Sequence, residues 1–183
     1  MSSDQAASCQ TAGLRQVTDV EESRVPWYAL KVRTRSELMA ASALRSRGHG
    51  PFCPTYLERR RYSDRMKLVQ AVYFPGYIFC QFELSAKLSI LTSQAIEYIV
   101  GTAGVPSAIP KTEMNSICLA VRAGARPATY PKTGQHVRVE YGALKGIEGV
   151  LEKTASHARL VVSVHLLQRS VSLLIAEDQV HFL

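Results

Sequence analysis

The 183-residue chain carries 22 Lys and Arg against 15 Asp and Glu, a formal charge of +7, and 46% of it is hydrophobic, which suits one ordinary domain or two small ones. The basic balance, with a pI near 9.4, favours a polyanionic partner, nucleic acid first and an anionic membrane surface second. With no apolar run of membrane-spanning length and no basic-then-apolar leader, the sequence reads as a soluble, cytoplasmic protein with no membrane partner.

Metal and enzyme chemistry find little support. Cys9, Cys53, Cys80 and Cys118 form no CxxC pair, and His49, His136, His157, His165 and His181 show neither HxxxH nor HExxH spacing, so no metal and no cofactor is expected. A nucleophile elbow, a P-loop and a dinucleotide glycine fingerprint are all missing, so the chain is read as a non-enzyme without catalytic residues.

Residues 1–24 are rich in Ser, Gln, Asp and Ala without an apolar period and are expected to be a disordered tail. From Val25 to Val32, Trp27, Ala29 and Lys31 alternate with Tyr28, Leu30 and Val32, the pattern of a strand. Thr34-Arg35-Ser36-Glu37 has the form of a capping box. It predicts a helix from about Arg35 to Arg47, with Leu38, Ala41 and Leu44 on one face and Gly48 as its stop.

Phe52 to Leu57 reads as a short strand interrupted by Pro54. Glu58 to Lys67 holds five basic residues and no apolar period, which leaves two readings open, a solvated hairpin tip and a phosphate-contact loop. Next comes the densest aromatic stretch of the chain, Val72 to Phe82. Phe74, Ile78, Cys80 and Phe82 share one parity; Tyr73, Tyr77 and Phe79 share the other. A strand with two apolar faces is either buried on both sides or presents one to a partner.

Leu84, Leu88 and Leu91 suit a short helix, Ile96 to Gly101 a strand, and Met114, Ile117, Cys118 and Val121 a helix that opens after Pro110 and ends at Gly124. Residues 25–124 therefore read as an α+β domain in which helices cover an antiparallel sheet. Residues 125–133, with two prolines and no period, read as a linker. Residues 134–183 read as a small all-β barrel with strands at His136–Glu140, Ile147–Glu152, Arg159–His165, Arg169–Ile175 and Gln179–Phe182. The β-branched run Leu160 to Val164 argues against a helical resting state for this part.

Taken in order, Trp27-Tyr28, Phe74-Pro75-Gly76-Tyr77-Ile78-Phe79, Gly134 to Val139 and Gly142 to Val150 resemble the NusG family of bacterial transcription elongation factors, the last segment resembling its KOW motif. The resemblance implies an NGN-like α+β domain followed by an SH3-like KOW barrel. It also implies a factor that rides on RNA polymerase and suppresses pausing or termination. Trp27, Tyr28, Phe74, Tyr77 and Phe79 correspond to the surface that clasps the polymerase clamp, with Tyr77 and Phe79 outward and Phe74, Ile78, Cys80 and Phe82 inward. Lys87 and Ser89 lie near the place of a second polymerase contact, though that motif is absent.

As the resemblance has it, Arg33 and Arg35, with Arg59, Arg60 and Arg61, form a basic surface for non-template DNA or nascent RNA. Gly142, Gly146 and Gly149 form the KOW turn. Leu166, Leu167 and Arg169 occupy the loop that meets ribosomal protein S10 or the termination factor Rho. Leu167 and Gln168 replace the family's aromatic and glycine there, and Ala143-Leu144 replaces Pro-Phe. These departures weaken the expectation of Rho binding and suggest a specialised RfaH/UpxY/LoaP-like paralogue; the protein is expected to be a monomer. The alternative is a KOW-containing RNA- or ribosome-binding protein.

Overall fold

The computed structural model describes residues 25–153, 158–176 and 179–183; the tail expected at 1–24 lies outside them. By internal packing the described residues divide into two compact units, Tyr28–Ile99 and, together with residues 25–27, Val100–Leu183.

In the first unit, β1 (Trp27–Val32) leads to α1 (Glu37–Ser46), followed by β2 (Gly50–Phe52), β3 (Thr55–Arg61), β4 (Met66–Val72), β5 (Tyr77–Gln81), α2 (Lys87–Leu91) and β6 (Ile96–Ile99). The main sheet runs β2-β5-β1-β6. β2 pairs antiparallel with β5, placing Phe52 opposite Phe79, and β1 pairs antiparallel with β6. Pro51 sits in the edge strand β2, where a missing amide donor does least harm.

One face of this sheet builds the core. Tyr28, Leu30 and Val32 of β1 and Ile78, Cys80 and Phe82 of the β5 segment meet Ala40 and Leu44 of α1 and Ile90 of α2. Each fully buried aliphatic among them contributes about 1.5–3 kcal/mol. α1 begins two residues later than the sequence predicts. Arg35 takes a φ of +68° and Ser36 is the N-cap without a side-chain cap bond, so the Thr34–Glu37 capping box does not form. The buried stripe is Glu37, Ala40, Ala41 and Leu44, and Leu38, expected on the inner face, is exposed.

The segment read as a short strand leading into a hairpin tip is a separate two-stranded ribbon whose pairing runs through that tip. Pro54 ends β2, and β3 and β4 then pair from Thr55↔Val72 to Arg61↔Met66, turning where Tyr62 N–H donates to the Arg65 carbonyl at 2.9 Å. Hairpin pairing supplies the order that apolar periodicity does not.

The second unit opens with a small hairpin of β7 (Gly101–Thr102) and β8 (Val105–Pro106), then β9 (Ala108–Ile109) and α3 (Lys111–Arg122). β10 (Arg126–Ala128), β11 (Gln135–Val139), β12 (Glu148–Lys153), β13 (Ala158–Val164), β14 (Arg169–Ile175) and β15 (Val180–Phe182) form a six-stranded sheet in the order β10-β14-β13-β12-β11-β15. β10 lies inside the stretch read as linker. It pairs with β14 at the sheet edge, where Pro127 is tolerated. α3 packs on β12, β13 and β14 and groups with this unit, whereas the sequence reading grouped it with the first. Gly149 is demanded by the close approach of β12 and β13: a Cβ there would lie 2.5 Å from the Val161 carbonyl oxygen.

Candidate functional site

The aromatic stretch folds around one turn. Phe74-Pro75-Gly76-Tyr77 closes with Tyr77 N–H donating to the Phe74 carbonyl at 3.0 Å, and Gly76 takes a φ of +80°. Proline second and glycine third, with positive φ at the glycine, is the type II pattern. Two further bonds seat the turn: Val32 N–H donates to the Gly76 carbonyl at 3.0 Å, and Gly76 N–H donates to Glu37 Oε1 at 2.7 Å in a buried setting. Glu37, buried on α1, thus ties the helix to the turn. Sequence reasoning missed this, because the capping-box pattern gave the same carboxylate a different partner.

The turn also breaks the strand parity assumed across it. Phe74 does not join Ile78, Cys80 and Phe82; its ring stands perpendicular to Phe79 with centroids 5.0 Å apart, and the Phe52 ring lies 6.2 Å from Phe79. Ile78, Cys80 and Phe82 face the core as expected. Phe79 is fully buried, and Trp27, Tyr28 and Phe74 nearly so. Tyr28 belongs to the core, stacked 4.8 Å from Phe82. Of the five expected docking aromatics, only Tyr77 is half-exposed. Lys31 Nζ sits over its ring, 4.6 Å from the centroid, a cation–π contact on the ring face.

The expected second contact is partly occupied already. The Ser89 carbonyl accepts from Arg47 Nη1 at 2.9 Å, and Ser89 Oγ lies 3.3 Å from His49 Nε2; Lys87 is half-buried.

The five expected nucleic-acid arginines are all exposed. Arg33 and Arg35 lie in the loop between β1 and α1. Alternation along β3 separates the other three: Arg59 and Arg61 share a face, and Arg60 takes the opposite one, its Nε 2.9 Å from Glu58 Oε2. That bond and the Glu58 charge raise the pKa of Arg60. Burial alone pushes the Cys80 thiol up to about 12, and burial, partly offset by Arg122, does the same for Cys118, so both act as packing residues.

In the second unit, Gly142 opens a 3-10 turn ending at Leu144, and Gly146 N–H donates back to the Val139 carbonyl at 2.8 Å. Leu166 is half-buried, Leu167 buried and Arg169 exposed. Gln168 between them holds a φ of +52°, the left-handed conformation that glycine adopts without penalty. Beneath α3 a cavity of about 220 Å³ is lined by Glu113, Ser116, Lys132, His136, Glu148 and His165. Glu113 Oε1 meets His165 Nδ1 at 2.9 Å, and its other oxygen accepts from His165 N–H at 3.2 Å. This pair clips α3 to the sheet. Among the described residues, no three metal-ligating side chains cluster, and no helix is long and apolar enough to cross a membrane.

A family model described as transcription termination factor nusG matches residues 25–118. Among solved structures, one described as domain interaction in Thermotoga maritima NusG is 17% identical, with 86% of this chain and 97% of that chain covered and a TM-score of 0.47. The MjSpt4:Spt5 complex in its conformation A is 13% identical, with 86% and 97% covered and a TM-score of 0.31. No curated protein matches the chain.

Proposed function

Since the matched residues span just over half of its length, the chain belongs to the NusG family of transcription factors, and we propose that it binds RNA polymerase through its N-terminal unit and suppresses pausing or termination. The observation that carries this reading is the second face of the first sheet. There Phe74 and Phe79 are packed out of solvent, Tyr77 is half-exposed and Tyr98, opposite Lys31 on the neighbouring strand, is exposed; Tyr77 is held by a turn anchored through both backbone groups of Gly76. A rigid aromatic edge of this kind is a low-entropy anchor for a helical partner, here the polymerase clamp.

Tyr77→Ala is the test. Loss of an interfacial aromatic anchor is expected to cost about 2 kcal/mol, roughly thirtyfold in Kd for polymerase, with the circular dichroism spectrum unchanged. Wild-type polymerase affinity together with wild-type antipausing activity in this variant would overturn the reading. Phe79→Ala cannot serve, because it removes a fully buried ring and a loss of binding would then be mixed with a loss of stability.

In this reading Arg33, Arg35, Arg59 and Arg61 contact nucleic acid near the transcription bubble, with a salt-sensitive affinity. The second unit is a KOW-type module recruiting a further partner through exposed Arg169 and half-buried Leu166. The substitutions at Leu167, Gln168 and Ala143-Leu144 support a specialised paralogue that binds ribosomal protein S10 in preference to Rho. Retention of Rho as strong as that of a housekeeping member in a pull-down counts against this.

A further inference from the structure

The ribbon of β3 and β4 presents two unlike faces. Every residue from 59 to 68 is exposed, so its side chains are spent on solvent or on a partner. Directly opposed residues of an antiparallel ladder share a face. The register therefore gathers Leu57, Arg59 and Arg61 with Met66, Leu68 and Gln70 on one side, and Tyr56, Glu58 and Arg60 with Lys67 and Val69 on the other. The second face neutralises its own arginine through the Glu58–Arg60 bond. The first carries no carboxylate, and its two arginines are interleaved with Leu57, Met66 and Leu68, each more than half exposed.

A narrow strip with two cations along one strand and apolar side chains opposite them on the other matches a polyanion whose interior offers apolar and hydrogen-bonding edges. Strands of seven residues span about 23 Å at ~3.3 Å per residue, and two strands lie ~5 Å apart. A two-stranded β-ribbon fits the B-form major groove, about 12 Å wide, where the thymine methyl offers an apolar contact. The A-form RNA major groove is too deep and narrow for side chains to read. We infer that the Arg59–Arg61 face of the β3–β4 ribbon enters the major groove of duplex DNA, setting both arginines on groove-lining phosphates and Leu57, Met66 and Leu68 against base edges. This deepens the nucleic-acid part of the function proposed above.

The test is fluorescence anisotropy of the full chain with a B-form DNA duplex, and with an RNA duplex of the same sequence, over a range of salt concentrations and without polymerase. A failure of polymerase docking therefore leaves it intact. The DNA duplex is expected to bind more tightly than the RNA. The double substitution Arg59→Ala with Arg61→Ala should weaken DNA binding at least tenfold and lower the slope of log K against log salt by about 2, at ~0.9 per phosphate. Arg60→Ala should leave the slope unchanged, and Leu68→Ser should lower affinity without changing it. The proposal is overturned if Arg60→Ala matches the double variant, if the double variant keeps the wild-type slope, or if the RNA duplex binds as tightly as DNA.

Discussion

The aromatic turn and the arginine ribbon are neighbours in sequence, β4 ending at Val72 and the turn beginning at Phe74, yet they are built on opposite principles. The turn buries Phe74 and Gly76, exposes Pro75 and leaves Tyr77 half out. The ribbon buries nothing between residues 59 and 68, where its order comes from strand pairing. Packing gives the turn a fixed position at a high cost for any change, whereas pairing leaves the ribbon's side chains free to be exchanged. A partner would therefore meet a rigid anchor in one place and a replaceable set of contacts in the other.

The largest expected effect tests the first half of that contrast. Phe79→Ala should cost about 3–5 kcal/mol in unfolding free energy, read from urea denaturation midpoints; a loss under 1 kcal/mol would mean the ring is not a packed element. Glu37→Ala should cost about 2 kcal/mol, because it strands the buried Gly76 amide that the carboxylate now accepts from. Glu37→Gln, which keeps an acceptor, should recover part of the loss in the same assay.

A third effect appears with pH. Burial raises the Cys80 thiol from the ordinary 9.0 to about 12, so the folded state keeps its proton where the unfolded chain has lost it. The stabilisation is complete below pH 9 and is lost as pH rises toward 12, at about 1.4 kcal/mol per pH unit for this one thiol. Denaturation midpoints of wild type and Cys80→Ala should converge over that window. The smallest effect belongs to the ribbon. Leu68→Ser should change stability by less than about 0.5 kcal/mol, and a larger loss would show that the ribbon packs more than its exposure implies.

Legibility in the sequence followed the same divide. Elements whose order comes from burial were visible: the alternation of Tyr28, Leu30 and Val32, and the β-branched run at Leu160 to Val164, both became strands. The sequence reads Glu58 to Lys67 as a hairpin tip, and the pairing itself is not visible there because Arg59 opposite Leu68 and Arg60 opposite Lys67 leave no apolar period in either strand. Phe74 was put on the wrong side because parity was carried through a turn that resets it. Phe79 was read as outward because a strand pattern shows which residues share a face, without showing that Phe52 from a separate strand and Phe74 from across the turn converge on it. Likewise, the α3 periodicity marks a buried side of the helix, but only the Glu113–His165 and Ser116–Glu148 contacts say which sheet it meets.

The ribbon's pairing frame is clamped at its base, where Gln70 Nε2 donates to Thr55 Oγ1 at 2.9 Å and the Tyr56 and Tyr73 rings meet at 4.9 Å. Upstream of Arg59, β3 has a length of fixed parity, and that parity selects which arginines look outward together. Deleting one residue between Tyr56 and Arg59 would rotate the run by half a turn of the pleat, bringing Arg60 beside Leu68's column and sending Arg59 and Arg61 to the side that holds Lys67. Composition, net charge and hairpin length would hardly change. The ribbon is in this sense a combination lock, set by counting residues from Pro54 and not by which residues they are.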